Sequence, residues 1–425
     1  MKVAFYESDL TPPLGGFLWG HYNNVRANAV QDKLYARAVV TEVAGEVSAI
    51  VCIDSCALPP DMHDAVTARI FEYTGIPAER VCLCSNHTHW GMPISDSPEL
   101  NCFADAAYRD VCYRVVADTV TLAYHRLAKG SAVFASSELY GYAFSRDYFL
   151  KRGVGITFNG KNEEIDHMLS EIDPTVSVML FKQDDTPVGA LVNYSLHQCC
   201  GSPFQRNGQK AYTGDYASTL SKELKKVFGP DFVCVFLLAP CGDINHVNTE
   251  KKQPFHTNIE IGEALAEKVL KALLTATPVA ADALVVKKEL LTVPTRLLDK
   301  ETYRARVAAL AAKGDDMRLR NLVYYQATGK DTEKSLWLQT VKLGNVVLYF
   351  FPGEIFVDYS KEIKARTSAT HVMVVENCNS YCGYVPTKRA FEADCDLYET
   401  SLCHHSCLVP EAGEMMLEKL LEMQP

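Results

Sequence analysis

The chain has 425 residues, of which 48% are hydrophobic, which is enough to bury a sizeable core in one large domain or two. Its net charge of -10 argues against a nucleic-acid partner, because nucleic-acid-binding domains carry a basic footprint. There is no apolar run of about 18 residues, so the sequence predicts no membrane span. The N-terminal segment lacks the apolar region of a signal peptide, and we expect a cytoplasmic protein.

The 15 cysteines are also consistent with the reducing cytoplasm. Many of them lie in apolar runs, among them Cys82, Cys84 and Cys234. We interpret them as reduced, buried side chains rather than as disulfides. A thiol-dependent enzyme that uses Cys199 or Cys241 is an alternative that we place behind the hypotheses below.

The first elements predict a β-α-β unit. Residues 47–54 form an apolar run that ends in Asp54, as expected of a buried parallel strand. A helix is predicted over 61–73 and a second buried strand over 80–84. Asp54 is either a partner that orients a nearby histidine or a turn residue.

The second of these strands leads into Asn-His-Thr-His-Trp-Gly at 86–91. Two imidazoles at i and i+2, just past a strand end, can point into the crevice where open α/β sheets bind ligands. Neutral imidazole is also the commonest metal ligand. His87 and His89 therefore indicate a metal site, with a turn that exposes two histidines as the alternative.

The middle of the chain continues this alternation. The predicted segments are a helix over 104–127, a loop with Arg146 over 139–153, an exposed stretch over 159–173, a hairpin of strands 176–182 and 188–194, a helix from 215, and a strand over 232–239. The hairpin ends just before His197, and the last strand just before Asn245 and His246. A strand followed by a turn with Asp, His or Asn recurs four times, which predicts a shallow pocket rimmed by these turns.

The remaining segments complete an α/β fold of mixed sheets flanked by helices, read as a single domain over 1–425. They are a helix over 256–275, a strand over 283–293, charged helices without assigned chemistry over 299–328, a hairpin of 335–342 and 346–351, a strand over 372–376 and a helix over 411–423. A further helix is expected to begin at Glu354, where a carboxylate is often only a partner of the helix dipole.

Six blocks in this order resemble the N-terminal catalytic domain of the neutral/alkaline, non-lysosomal ceramidases. They are NHTHWG at 86–91, the Arg146 loop, NYSLH at 193–197, CGDIN at 241–245, FPGE at 351–354 and NSYCGYVPT at 379–387. The resemblance runs along most of the chain and implies a ceramidase-like catalytic domain without the family's C-terminal immunoglobulin-like domain.

The resemblance implies one zinc ion held by His87, His197, Glu354 and Tyr384. Zn²⁺ accepts imidazole nitrogen and carboxylate oxygen, and a catalytic site keeps one position open. By the same resemblance His89 contacts the substrate.

Two further positions resemble the residues on the oxyanion side of the family's site. They are Arg146 and Tyr398. For Arg146 a surface ion pair is the alternative.

Asn245 stands where the family carries a catalytic serine, in Gly-Asp-Ile-Asn at 242–245. An amide cannot act as the nucleophile, but it can donate a hydrogen bond to an oxyanion. We therefore expect a metal-activated water, with His246 or His89 as general base. The predicted function is zinc-dependent hydrolysis of an amide (carbon–nitrogen) bond in a small or amphiphilic substrate; the alternative is a catalytically silent relative that binds metal and ligand.

A dense group of Cys and His lies near the end, at Cys395, Cys403, His404, His405 and Cys407. Structural zinc prefers such ligands, but no CxxC pair occurs here. We favour a loop that lines the pocket, with His404 or His405 near the substrate, over a second zinc site.

Overall fold

The computed structural model describes residues 1–21, 24–157, 165–201, 207–248 and 256–425, and it shows the predicted α/β fold of mixed sheets flanked by helices. The helices within these ranges are α1 (Met62–Thr74), α2 (Ala106–Tyr124), α3 (Asp215–Phe228), α4 (Asn258–Leu273), α5 (Lys300–Lys313), α6 (Asp316–Thr328), α7 (Val357–Arg366) and α8 (Ala412–Glu422). None of them combines the length and the apolar character that a bilayer crossing needs.

The predicted strands are all present close to their predicted bounds, and further strands, among them Lys2–Asp9 and Ala128–Glu138, lie where none was predicted. The strands of the described ranges are β1 (Lys2–Asp9), β2 (Ala29–Val30), β3 (Tyr35–Val43), β4 (Glu46–Ile53), β5 (Val81–Ser85), β6 (Ala128–Glu138), β7 (Phe144–Ser145), β8 (Asp147–Leu150), β9 (Gly155–Thr157), β10 (Ile165–Met168), β11 (Thr175–Gln183), β12 (Thr186–Tyr194), β13 (Ala211–Tyr212), β14 (Val233–Leu238), β15 (Ile244–Asn245), β16 (Thr277–Pro278), β17 (Leu284–Pro294), β18 (Glu333–Leu343), β19 (Val346–Phe350), β20 (Glu354–Ile355), β21 (His371–Val375), β22 (Tyr384–Val385) and β23 (Cys395–Asp396).

Two sheets build the core. The larger has the order β14-β12-β11-β6-β1-β3-β4-β5, with β16 added to β6, and the smaller has the order β17-β18-β19-β21. Most neighbours are antiparallel, whereas β4 with β5, β12 with β14, and β19 with β21 are parallel.

The two sheets pack face to face, with helices outside. Side chains alternate along each strand with a period of two. In β4, Val51 faces the cluster that includes α1 and α2, whereas Ile50 faces the cluster shared with the smaller sheet. The helices α3 and α4 cover the other half of the larger sheet, and α7 and α8 cover the smaller one.

A short segment bridges the two edge strands of the larger sheet. Within residues 376–379, the N–H of Glu376 donates to Leu238 O of β14 at 2.9 Å, and the N–H of Asn379 donates to Leu83 O of β5 at 2.7 Å. The sheet therefore curls until its opposite edges meet at this segment. This curl brings the carboxyl ends of β5, β12 and β14 together.

Three local predictions need correction. The expected loop 139–153 contains strands β7 and β8, because Phe144–Ser145 pair with Ile244–Asn245 and residues 147–149 pair with β9. The stretch 159–173 lies partly outside the described residues, and its described part holds β10 and the buried Ser170 and Asp173.

The third correction concerns Glu354, which does not begin a helix. Residues 354–355 form the short strand β20, and α7 begins only at Val357.

Candidate metal centre

His87 lies two residues past the end of β5 in a strained backbone conformation. Its φ of 63° falls in the left-handed region, which residues other than glycine rarely adopt. The preceding Asn86 donates a 2.7 Å hydrogen bond to Asp54, and Asp54 pairs with Arg37 at 3.0 Å. Asp54 therefore supports the turn, not a histidine ring. Such strain persists only where the surroundings impose it, and it clusters at functional sites.

Three imidazole nitrogens meet beside this turn. His87 Nε2 lies 3.0 Å from His197 Nε2 and 3.2 Å from His89 Nε2, and the His197 and His89 nitrogens are 3.1 Å apart. The backbone N–H of His89 donates to Gln198 O at 3.0 Å, which ties the two histidine turns together. His89, which was predicted to contact the substrate, therefore lies about as close to His87 and His197 as these two predicted ligands lie to each other.

Glu354 approaches the same point from the smaller sheet. Its Oε2 lies 3.3 Å from His87 Nε2 and 3.9 Å from His197 Nε2. Its Oε1 accepts a 2.5 Å hydrogen bond from the Tyr381 hydroxyl. The preceding Gly353 has φ 145°, and a Cβ there would lie 2.6 Å from Gly383 O, so only glycine fits before this carboxylate.

Charge is distributed unevenly among these buried groups. Burial disfavours the charged form of His87, but Cys56 and the Glu354 carboxylate outweigh it and raise the pKa of His87 well above its usual value. Burial would raise the pKa of Glu354, but His87 holds it well below its usual value. Burial and the charge of His87 lower the pKa values of His89 and His197. Of the three imidazoles, therefore, His87 carries the positive charge, and His89 and His197 are neutral.

The donor set fits a metal ion. His87 Nδ1 lies 2.5 Å from Cys56 O, and since a carbonyl only accepts, Nδ1 carries a hydrogen. A metal ion would replace the second ring proton, on Nε2, and would receive the Nε2 lone pair. Glu354 Oε2 is buried, and among the described residues its contacts with donors are the histidine nitrogens at 3.3 and 3.9 Å. The ligand atoms of His87, His197 and Glu354 all lie within 4.8 Å of one another. Zinc–nitrogen bonds of 2.0–2.1 Å in a tetrahedron place nitrogens about 3.3 Å apart, close to the spacing seen here.

Tyr384 lies beside Glu354 on the neighbouring short strand. The two residues are directly opposite in the parallel pair β20–β22. The Tyr384 side chain is hydrogen-bonded to Arg146. Burial and Glu354 raise the pKa of Tyr384 well above its usual value although Arg146 opposes this, so the phenol keeps its proton in this environment.

Arg146 is buried, and its partner was not predicted from the sequence. Its Nε lies 2.6 Å from Oε1 of the fully buried Glu399, and its Nη2 donates to Gly242 O at 2.6 Å. Burial lowers the pKa of Arg146, but Glu399 and Tyr384 raise it well above its usual value. The ion pair is therefore internal, which excludes the surface-pair alternative for Arg146.

A cavity of about 660 Å³ opens over these groups. Tyr398 lines it and shares a 3.0 Å hydrogen bond with His405 Nε2. The residues of this lining that carry functional groups are Trp19, His21, Cys56, His87, His89, Ser95, Asp96, Ser97, Glu99, Arg146, His197, Cys199, Tyr324, Thr328, Glu354, Tyr381, Tyr384, Tyr398, His404 and His405. The predicted roles of His404 and His405 as lining residues match this placement.

Asn245 and His246 do not belong to this lining. Asn245 pairs with Phe144 in the two-stranded sheet next to Arg146, and its side-chain oxygen accepts the N–H of His246 at 2.6 Å. Their catalytic roles stay predictions.

The terminal Cys/His group is split. Cys395 borders a different cavity, beside Arg318 and Asp396, and Cys403 and Cys407 are buried. Within the described ranges this group contributes no set of three converging ligands.

Sequence reasoning missed Tyr381 and Glu399, which contact the predicted residues directly. Both stand in blocks that the motifs already marked, three residues before Tyr384 and one after Tyr398. It also missed Tyr324 and Thr328, because the helices over 299–328 carried no recognisable chemistry, yet α6 supplies both to the cavity.

Comparison with known proteins gives matches among solved structures. No family model and no curated protein matches this sequence. The crystal structure of neutral ceramidase from Pseudomonas aeruginosa superposes with a TM-score of 0.74 at 19% identity, over 100% of this chain and 74% of that one. A ceramidase complexed with C2 matches with the same values. This chain therefore has the fold of the neutral ceramidases, over its whole length.

Proposed function

We propose that this chain is a zinc-dependent hydrolase that cleaves an amide bond in a small or amphiphilic substrate. The observation that carries the proposal is the convergence of His87 Nε2, His197 Nε2 and Glu354 Oε2 at the cavity of about 660 Å³. In this proposal these residues hold the zinc ion, with Tyr384 as a labile fourth ligand. A zinc ion held there supplies Lewis acidity and can bring the pKa of water to about 7.

His89 is the residue that we assign to the attacking water. Its Nε2 lies 3.2 Å from His87 Nε2 and 3.1 Å from His197 Nε2, so it borders the same point as the proposed ligands. An imidazole at that distance can accept the proton that the water loses. His246 is the other general base that the sequence suggested, but of the two residues only His89 lines the cavity.

Arg146 and Tyr398 are the proposed partners of the developing negative charge on the substrate oxygen. Both line the cavity, and Arg146 is held in place by Glu399 and Gly242. Preorganised cationic and hydroxyl donors stabilise an oxyanion because they need no reorientation during the reaction. Asn245 is proposed as an additional donor from the strand next to Arg146. The site draws on residues from 87 to 384, which supports one catalytic domain over 1–425.

Metal analysis and turnover test this proposal together. We expect the purified protein to contain zinc, and His87→Ala and Glu354→Gln each to contain one zinc ion fewer than the wild type, while the exposed His167→Ala keeps the wild-type content. Turnover of an amide in a substrate panel is expected to stop with a chelator and to return with Zn²⁺. Full zinc occupancy in both ligand variants would overturn the ligand assignment.

The second candidate function is that of a catalytically silent relative that binds metal and ligand. The reason for considering it is Asn245, which stands at the position of the family's serine. This candidate function predicts zinc binding without turnover of any amide or ester in the panel. Chelator-sensitive turnover would rule it out.

A further inference from the structure

Three buried thiols converge in the core, away from the imidazole cluster. Cys82 and Cys84 lie on β5, and Cys378 lies in the segment 376–379 that bridges the sheet edges. The Sγ atoms of Cys82 and Cys84 are 3.7 Å apart, and those of Cys84 and Cys378 are 3.4 Å apart. All three sulfurs lie within 4.8 Å of one another, and all three residues are fully buried.

This spacing suits a shared metal ion. Residues at i and i+2 of a strand point to the same face, which explains why Cys82 and Cys84 lie together. Zinc–sulfur bonds of about 2.3 Å in a tetrahedron place sulfurs about 3.8 Å apart, near the spacing found here. Thiolates are the ligands that Zn²⁺ and Cu⁺ select.

A partly buried lysine beside the thiols favours negative charge on them. Lys288 Nζ donates to His63 Nε2 at 2.5 Å, Val81 O at 3.1 Å and Asn379 Oδ1 at 3.3 Å. Across the described ranges it forms no ion pair with a carboxylate. Burial lowers the pKa of Lys288 to about 8, against the opposing effect of Cys82.

The charge of Lys288 also acts on these thiols. Burial alone would raise the pKa of Cys82, but hydrogen bonds from Cys378 and Cys84 and the charge of Lys288 lower it, whereas burial raises the pKa values of Cys84 and Cys378 well above their usual range. A dication and the Lys288 ammonium together balance three thiolates.

We propose that Cys82, Cys84 and Cys378 form a second metal site, for a thiophilic cation bound by three thiolates. The ion joins β5, which leads to His87, to the segment that leads to Tyr381. Its role is structural: it fixes the junction of the two sheet edges on which the cavity rests. The proposal does not depend on hydrolase activity.

Cadmium titration of the reduced, metal-free, full-length protein without oxygen tests the site. Thiolate ligation produces a sulfur-to-cadmium charge-transfer band in the ultraviolet, which imidazole and carboxylate ligands do not produce. We expect a stoichiometric band in the wild type and in His87→Ala. The band is expected to disappear in Cys84→Ser and Cys378→Ser and to persist in Cys112→Ser, an equally buried thiol on α2.

A second measurement needs no variant. Cd²⁺ is expected to protect Cys82, Cys84 and Cys378, but not Cys112, from alkylation during partial unfolding, as read by peptide mass spectrometry. The metal content of purified His87→Ala, which is expected to lack the zinc of the imidazole site, then separates zinc from copper as the natural ion of the thiol site. Absence of the band in the wild type, or equal alkylation with and without Cd²⁺, would overturn the proposal.

Discussion

The phenol of Tyr381 donates a hydrogen bond of 2.5 Å to Glu354 Oε1, so that Oε2 is the carboxylate oxygen that faces His87. Groups that orient a metal ligand in this way typically account for a 10–100-fold difference in metal affinity. We therefore expect Tyr381→Phe to bind zinc about 10–100-fold more weakly than the wild type. Competition with a chromophoric chelator measures this directly.

Tyr349→Phe is the matched control for that prediction. Tyr349 is buried, and its hydroxyl lies 2.7 Å from Thr367 Oγ1, outside the cavity lining. Its loss is expected to leave zinc affinity unchanged. If Tyr381→Phe and Tyr349→Phe bind zinc equally well, Tyr381 does not orient the ligand.

Glu399→Gln is expected to destabilise the protein because it leaves the buried guanidinium of Arg146 without its counter-charge. Removing one partner of a buried ion pair costs about 3–5 kcal/mol of unfolding free energy. Urea unfolding measures the change. Glu418→Gln, which breaks the exposed pair with Arg366, is expected to leave the unfolding free energy nearly unchanged. Equal stabilities of the two variants would show that Arg146 is not held by this charge.

Because of the buried His63, we expect the protein to lose stability in mild acid. Burial and the charge of Lys288 lower the pKa of His63 from 6.5 to about 4 in the folded protein. Between these pH values the unfolded chain binds more protons, so stability falls as the pH drops from 6.5 towards 4. The full shift corresponds to about 3 kcal/mol.

Unfolding free energies measured across this pH range check the prediction. His63→Gln is expected to flatten the profile, whereas the exposed His167→Gln is expected to keep the wild-type slope. A parallel profile for His63→Gln and the wild type would contradict the assignment.

Asn245 and His246 were predicted to be catalytic, but neither lines the cavity. We expect Asn245→Ala and His246→Ala to lower kcat/KM less than Arg146→Ala and His89→Ala do, because the latter pair faces the cavity directly. Steady-state kinetics on an amide substrate from the panel compares the four variants. A loss in Asn245→Ala as large as that in Arg146→Ala would place the amide among the oxyanion donors.

Local pattern predicted much of this fold. The hairpin of β11 and β12, the helix α1 and the strand β17 follow from apolar periodicity and turn residues, and they form close to the predicted bounds. Glu354 is the exception, because pairing with the distant Tyr384 replaced the expected start of a helix. Such pairing depends on residues 30 positions away, which local periodicity cannot report.

The sequence by itself determined that polar residues follow buried strands, since strand ends and apolar runs are local properties of the chain. Which of those strand ends meet was decided only by the tertiary structure. His87 and His197 follow strands near opposite edges of a long sheet, and they come within 3.0 Å because residues 376–379 draw those edges together. The contacts of Tyr381 with Glu354, of Glu399 with Arg146 and of Cys378 with Cys84 likewise join segments that lie far apart in the sequence, so only the tertiary structure reveals them.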